Sequence, residues 1–392
     1  MSDSSTQLIH HPYVPPAGFG AIPPGVYKAS TVIFPSVAAL RSRDWRHKTG
    51  YTYGLSGTPT TFILEERIAT LEGGQFCTLV PSGLAAVSLV GMALLKSGDE
   101  MLIPDNVYGP NKVLAQHELA AWGITHRFYN PMDPADLAAK LSPQTRLVWL
   151  EAPGSITLEF PDLPALVAVV KACQHAHPDG IVTALDNTWG AGIAFNAFKS
   201  GTDISVQALT KYPSGGADVL MGSVVTNSEA LHGLVRLCHM RVGHGVGGND
   251  VELVLRGLHS IGLRYAAQDS ATRALAAWMQ AQPQVAAVLH PALEGSPGHA
   301  TWKRDCSAAA CLFSAVFKPG FTQAQIDGFC DSLKLFKLGY SWAGPMSLCA
   351  PYDVPHIRTM PWPHQGGLVR FSVGLEAVAD LQADLAQALA SL

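Results

Sequence analysis

Lys211 follows the apolar run "ISVQAL" with only Thr210 between them and is followed by "YPSGGADVLMG", whose glycines let the chain turn away. A lysine held in a desolvated crevice loses part of its affinity for a proton, and its neutral amine then serves as a base or as a nucleophile towards a carbonyl. A lysine on an open surface does neither, so the neighbours decide. Two other strand ends bear on it. The apolar run "IVTAL" stops at Asp186, the first residue of "DNTWGAG", and a carboxylate at the inner end of a buried strand is costly unless something positive pairs with it. A protonated heterocyclic nitrogen would serve, and so would an arginine in a structural ion pair. The run "FCTLV" stops at Pro81, Ser82 and Gly83 before the helical pattern "LAAVSLV". A Ser-Gly turn at a helix start offers backbone N–H groups and the positive end of the dipole to a phosphate, or else Ser82 simply caps the helix.

Each feature alone has a structural explanation. Together, a phosphate-binding turn, an acid for a ring nitrogen and an amine for an aldehyde describe a site for pyridoxal 5'-phosphate.

These residues need a scaffold that gathers strand ends. After residue 60, helical segments alternate with short apolar strands, "FCTLV", "EMLIP", "THRFY", "TRLVWL" and "IVTAL", which predicts a mainly parallel sheet covered on both faces. In such sheets the ligand crevice lies at the carboxyl ends of the strands. Three helical stretches follow between about residues 228 and 282. "QVAAVLH", "SAAACLFSAVF", "TQAQIDGFCDSL" and "GLVRFSVG" then predict a smaller α+β unit. The expected division is an arm over 1–60 that lies on a neighbouring subunit, a large domain over 61–258 and a small domain over 259–392.

Composition narrows the partners. Of 392 residues, 48% are hydrophobic and only 14% charged, which favours surface buried between subunits. Net charge is −4 with no block of like charge, so the basic stripe that nucleic acid or an anionic membrane demands is absent. Seven cysteines, odd in number and without a C-x-x-C pair, point to a reducing compartment. The N-terminus has no basic region followed by an apolar one, and the expected location is the cytoplasm. The uncharged run 75–95 is long enough to raise a membrane span, but "PSG" breaks it into strand, turn and helix. Three decoys fail on context. "GHGVGG" at 243–248 follows a helical pattern instead of a strand, "GYSWA" at 339–343 lacks the second glycine of a nucleophile elbow, and His175 and His177 sit at a helix end beside "PDG", where they read as solvated.

"PSGLAA", "DNTW", "FKSGTDISVQALTKYPSGGADVLMGSVV", the later "YSW" and "VRFSVGLE" resemble the Cys/Met-metabolism group of pyridoxal phosphate enzymes, and within it the cystathionine β-lyases. The resemblance runs from about residue 25 to the C-terminus. It implies an α/β, fold-type I transferase-like chain, with a mainly parallel seven-stranded sheet between helices, assembled as a homotetramer from two dimers. It implies that Lys211 holds the cofactor as a Schiff base and that Asp186 pairs with the ring nitrogen. Ser82, Gly83 and Leu84 match the phosphate turn, with Ser205 and Thr210 also reaching the phosphate. Tyr108 matches a tyrosine stacked on the ring, and Tyr53 one that enters from the neighbouring subunit; with Lys211 both are the expected catalytic residues, helping to accept the proton of the substrate amine. Arg370 and Ser341 match the groups that hold a substrate α-carboxylate, with Tyr340 and Trp342 beside them on the substrate side. No metal is implied.

The activity implied is β-elimination at a Cβ–S bond, taking L-cystathionine to homocysteine, pyruvate and ammonia, with other cysteine S-conjugates as further substrates. A γ-acting relative shares every cofactor residue, and a non-catalytic cofactor-binding protein is the reading from another class. Tyr340 stands where γ-eliminating relatives tend to carry glutamate, which favours the β-lyase. Two departures stand against the pattern. Leu55 occupies the place of an arginine that reaches the phosphate across the dimer interface, and Ala343 and Met346 replace a glycine and a glutamate.

Overall fold

The computed structural model describes residues 4–44, 48, 50–173 and 180–392. His175 and His177 lie outside them. Seven strands form the larger sheet: β1 (Phe76–Val80), β2 (Glu100–Pro104), β3 (Thr125–Tyr129), β4 (Thr145–Glu151), β5 (Val182–Asp186), β6 (Ile204–Ala208) and β7 (Gly222–Thr226). Their order is β1-β7-β6-β5-β4-β2-β3. β2 to β6 pair in parallel, and β7 alone runs against its neighbours β1 and β6.

Strand alternation explains why both faces need helices. Val182 and Ala184 of β5 join a cluster with Val87 and Val90 of the helix Gly83–Leu94, whereas Leu185 joins Leu166 and Val170 of the helix Leu163–Ala172 on the other face. The run that raised a membrane span is thus β1 followed by a 12-residue helix capped by Ser82. No helix among the described residues is long and apolar enough to cross a membrane. All seven cysteines are free.

A second sheet holds β8 (Val285–Leu289), β9 (Leu312–Phe317), β10 (Lys337–Leu338), β11 (Leu348–Tyr352) and β12 (Leu368–Ser372) in the order β10-β11-β12-β9-β8. Its core is aromatic: Phe313 and Phe371 stack at 4.9 Å, with Phe329 and Phe336 edge-on to Phe371. The helix Ile261–Gln280 sends Leu275 and Met279 into this core and Tyr265 into the core of the larger sheet, so one element belongs to both units.

The first 60 residues contain little regular structure. They are tied down where Thr60 Oγ1 accepts from Tyr27 N at 2.7 Å and donates to Gly25 O at 3.1 Å. Val14, Ile22 and Ile33 are between 86% and 95% exposed, so this arm carries apolar groups that no described residue of the chain covers.

Two glycines bring the cavity walls together. A Cβ on Gly83 would lie 2.5 Å from Ala208 Cβ, and one on Gly222 would lie 2.3 Å from Ser82 O. The helix start can therefore sit against the end of β6, immediately before the lysine. Gly222→Ala is expected to destabilise the fold by about 1 to 3 kcal/mol, as overpacking does. It is also expected to loosen the Ser82 turn, so that cofactor is lost faster on dialysis. Denaturant unfolding and residual cofactor absorbance check the two effects; retention equal to wild type would show that the turn does not depend on this contact.

Candidate active site

The carboxyl ends of β4, β5 and β6 open on a cavity of about 700 Å³. Ser82, Gly83 and Leu84 line it from the helix start, Asp186 from the end of β5, and Thr210 and Lys211 from the turn after β6. Tyr108 enters from the loop after β2. Tyr340, Ser341 and Trp342 come from the loop before β11, and Arg370 from β12. Residues 288 positions apart in the chain, from Ser82 to Arg370, thus share one space because two sheets present their ends to each other.

Lys211 Nζ donates to Ser341 Oγ at 2.6 Å and lies 5.5 Å from the centroid of the Trp342 ring. Burial, helped by the Arg370 charge, lowers its pKa from 10.5 to about 8, while Cys311 and Asp186 act to raise it. An amine with that pKa gives up and recovers a proton near neutral pH. Burial raises Asp186, opposed by Thr188, whose N–H donates to Oδ1 at 2.9 Å, and by the Lys211 charge. Arg370 is buried. Its Nη1 donates to Ser155 O at 2.9 Å, and its guanidinium sits 5.2 Å from the centroid of Tyr352, leaving the rest of the donor fork towards the cavity it lines.

Ser82 Oγ accepts from Ala85 N at 3.0 Å, so the serine is a helix cap. Capping and an anion site coexist, because the helix geometry leaves the N–H groups of Gly83 and Leu84 without intrahelical acceptors. Thr210 Oγ1 accepts from Met221 N at 3.2 Å. Ser341 has φ 127° and Ala343 φ 62°, in the left-handed region that glycine adopts without strain. This is a backbone reason for a glycine at position 343, where the chain carries alanine.

Ser205 is not in the cavity. It belongs to the set Ser205 and Gln207 of β6 that points away from Ile204, Val206 and Ala208, and its hydroxyl donates to Glu72 Oε2 at 2.5 Å. The strand period separates it from Lys211's side of the sheet; Ala208 lines the cavity there and brings no hydroxyl. Tyr53 is half-exposed on the arm and absent from the cavity of its own chain. Leu55 borders a small separate space with Glu65 and Arg236, and Met346 is 54% exposed.

Sequence reasoning missed three groups. Glu151 ends β4 and takes the Tyr108 N–H on both oxygens, at 2.9 and 3.1 Å; burial holds its carboxyl well above the usual range. Its signal was the same as that of Asp186, a carboxylate closing an apolar strand. Arg358 lines the cavity from a loop with no pattern to betray it, paired with Glu159 at 2.6 Å. Glu72 lies behind the sheet, held by Asn187 and Ser205.

Residues 5–390 match the profile of the family described as Cys/Met metabolism PLP-dependent enzyme. The chain belongs to that family. It is 38% identical to a cystathionine β-lyase of Bordetella avium, covering 99% of both chains, and 30% identical to an L-methionine γ-lyase of Pseudomonas deceptionensis, covering 99% of this chain and 97% of the other. The crystal structure of metB from Corynebacterium glutamicum superposes with a TM-score of 0.89 at 26% identity, over 99% of this chain and 98% of that one. The fold is that of the fold-type I enzymes, and the cofactor of this Cys/Met-metabolism enzyme is pyridoxal phosphate.

The residues present suit that cofactor. The missing Cβ of Gly83 sets a helix start beside the end of β6, and a carboxylate and an amine close the same cavity.

Among the described residues no cation pairs with Glu72, and burial raises its pKa from 4.5 to about 7, opposed by the Ser205 and Asn187 hydrogen bonds and reinforced by Asp186. A carboxyl whose folded pKa is raised favours folding while protonated. Its contribution is complete below pH 4.5 and is lost as pH rises to about 7. Glu72→Gln removes that dependence. Between pH 5 and pH 8 the apoprotein of the variant should gain about 2.5 kcal/mol relative to wild type. Unfolding in denaturant at the two pH values checks this; an unchanged difference would mean that Glu72 stays ionised.

Proposed function

We propose that the chain is a carbon–sulfur β-lyase, which takes L-cystathionine and water to homocysteine, pyruvate and ammonia and acts on other cysteine S-conjugates. The observation that carries the reading is the Lys211 amine, lowered to about 8 in a cavity that it shares with Asp186 and Arg370. Similarity to a cystathionine β-lyase over 99% of the chain supports the substrate type.

When bound, pyridoxal phosphate supplies an electron sink conjugated to the substrate amine. The N–H groups of Gly83 and Leu84 and the Thr210 hydroxyl would hold the phosphate, and Asp186 would keep the ring nitrogen protonated. Arg370 clamps the α-carboxylate, an interaction suited to its planar fork. Ser341, within 2.6 Å of Nζ, orients the amine, which then takes the Cα proton. Departure of the thiolate from Cβ needs a proton. Burial, with the Asp186 and Glu151 charges, raises the Tyr108 phenol above its usual range, so it is a donor to sulfur and not an acceptor from the amine. In this reading Tyr53 enters the cavity of a second copy, the exposed apolar arm lies on that copy, and two such dimers make the tetramer. The cytoplasm is the location that the free thiols suit.

The γ-acting alternative is favoured by the similarity to an L-methionine γ-lyase and makes different products. Wild-type protein should release pyruvate and homocysteine from cystathionine, and Lys211→Ala should lose both the turnover and the visible absorption of the lysine-bound cofactor. Formation of 2-oxobutyrate and cysteine would transfer the assignment to the γ-class, and a coloured, active Lys211→Ala would remove the lysine from the mechanism. Arg370→Ala should lower kcat/KM by the equivalent of about 2 to 5 kcal/mol, and Arg370→Lys should recover only part. Steady-state kinetics decide this, and wild-type values for the alanine variant would show that the carboxylate is held elsewhere.

A further inference from the structure

On the side of the larger sheet that faces away from the cavity, Glu72, Asn187 and Ser205 are all fully buried, and a second copy of the chain does not reach groups that their own chain already encloses. Glu72 is the last residue of the helix Pro59–Glu72. Asn187 Nδ2 donates to its Oε1 at 3.3 Å and to its Oε2 at 3.1 Å, and Ser205 Oγ donates to Oε2 at 2.5 Å. Asn187 follows the end of β5 and Ser205 lies on β6, so one carboxyl joins the two strands whose ends carry Asp186 and Lys211. The end of the helix is pressed against the segment after β5. Gly192 sits there at φ 69°, and a Cβ on it would lie 2.5 Å from Leu71 O.

Asn187 is held at three points. Its N–H donates to Val206 O at 2.9 Å, its C=O accepts from Ala191 N at 2.8 Å, and its side chain ends on Glu72. The residues on either side turn the other way. Asp186 and Thr188 line the cavity, Thr188 N donates to Asp186 Oδ1 at 2.9 Å, and Thr188 Oγ1 accepts from Ala208 N at 2.9 Å. The backbone that aims Asp186 is therefore gripped by Thr188 on the cavity side and by Glu72 on the other. A buried carboxyl is costly when no cation pairs with it, and among the described residues none pairs with Glu72. An apolar side chain would avoid that cost, but it would leave Asn187 and Ser205 without an acceptor. The two carboxyls also feel each other, since the Asp186 charge adds to the burial that pushes Glu72 up to about 7.

We propose that Glu72 is a positioning residue for Asp186, which it aims at the ring nitrogen of the cofactor by tying Asn187 to Ser205 behind the sheet. The proposal rests on the reading of Asp186 as the partner of that nitrogen and is independent of which substrate is cleaved.

A proton kept on the ring nitrogen disfavours a second proton on the nitrogen that joins Lys211 to the cofactor. Slack in Asp186 therefore raises the pH at which the visible band of the lysine-bound cofactor changes. The test titrates that band with pH in the reconstituted holoenzyme. Glu72→Ala is expected to raise the midpoint by about one unit, a tenfold gain in proton affinity. Glu72→Gln, which has the shape of the neutral carboxyl and keeps an acceptor for Asn187, should return it to the wild-type value. Asp186→Asn should raise the midpoint as well, and adding Glu72→Ala to it should change nothing further. Loss of packing alone would lower stability in denaturant without moving the band. Should Glu72→Ala not fold, Asn187→Ala cuts the same link with Glu72 in place, and the same shift is expected of it. A wild-type midpoint in the folded Glu72→Ala or Asn187→Ala protein overturns the proposal, as does an undiminished shift in the Asp186→Asn background. A Glu72→Gln protein that behaves like Glu72→Ala also overturns it, because charge and not hydrogen bonding would then be at work. A wild-type midpoint in Asp186→Asn removes Asp186 from the ring nitrogen and the proposal with it.

Discussion

An amine kept where water solvates it poorly is the constraint on which the other features converge. Lys211 pays for its depressed pKa in lost hydration, and the protein limits that cost to the one place where a neutral amine is useful. Asp186 lies in the same cavity and acts in the opposite direction, raising the lysine while burial raises the acid itself. Neither group can move far without changing the other. The close approach of the helix start at Gly83 to Ala208 fixes the distance from the Ser82 turn to the lysine strand in the same way, by leaving out a methyl group.

In the proposed reading the second sheet supplies the group for a substrate carboxylate. Arg370 reaches the cavity from β12, and its bond to Ser155 O crosses from one unit to the other. Ser341 does the same on the lysine itself, from a backbone in the left-handed region. The segment 353–360 adds a third crossing, because Asp105, at the end of β2, receives Thr359 and Met360. Three contacts of this kind make the cavity a product of domain packing, and the helix Ile261–Gln280, buried in both cores, keeps the two units in register.

What the sequence discloses follows from physics that acts locally. A polar residue that closes an apolar strand is visible in one dimension, and this found Asp186 and Lys211. Glu151 carries the same mark at the end of β4. The alternation within a strand is visible as well, yet the resemblance drew Ser205 to the phosphate although it lies three residues, an odd number, from Ala208, the strand residue that lines the cavity. Arg358 and the wall formed by Tyr352, Val354 and Ile357 depend on how a loop of the small domain folds back over β2, and no spacing in the chain encodes it.

Leu55 shows how far a one-residue departure reaches. The space beside it already holds Arg236, whose Nη2 donates to Ser56 O at 3.2 Å, and Glu65, which Lys48 approaches at 2.6 Å and Arg236 at 4.0 Å. Glu65 is buried, and these two cations, with the Leu79 N–H, hold its pKa below the usual range against desolvation. A further guanidinium at position 55 would meet Arg236 with that single carboxylate shared among three cations. Leucine avoids that repulsion, and in the proposed reading a phosphate charge would fall on uncharged donors, the helix N–H groups at Gly83 and Leu84 and the Thr210 hydroxyl. Such donors act through fixed dipoles instead of a net charge, so their hold on a dianion depends on the backbone geometry that Gly83 and Gly222 make possible.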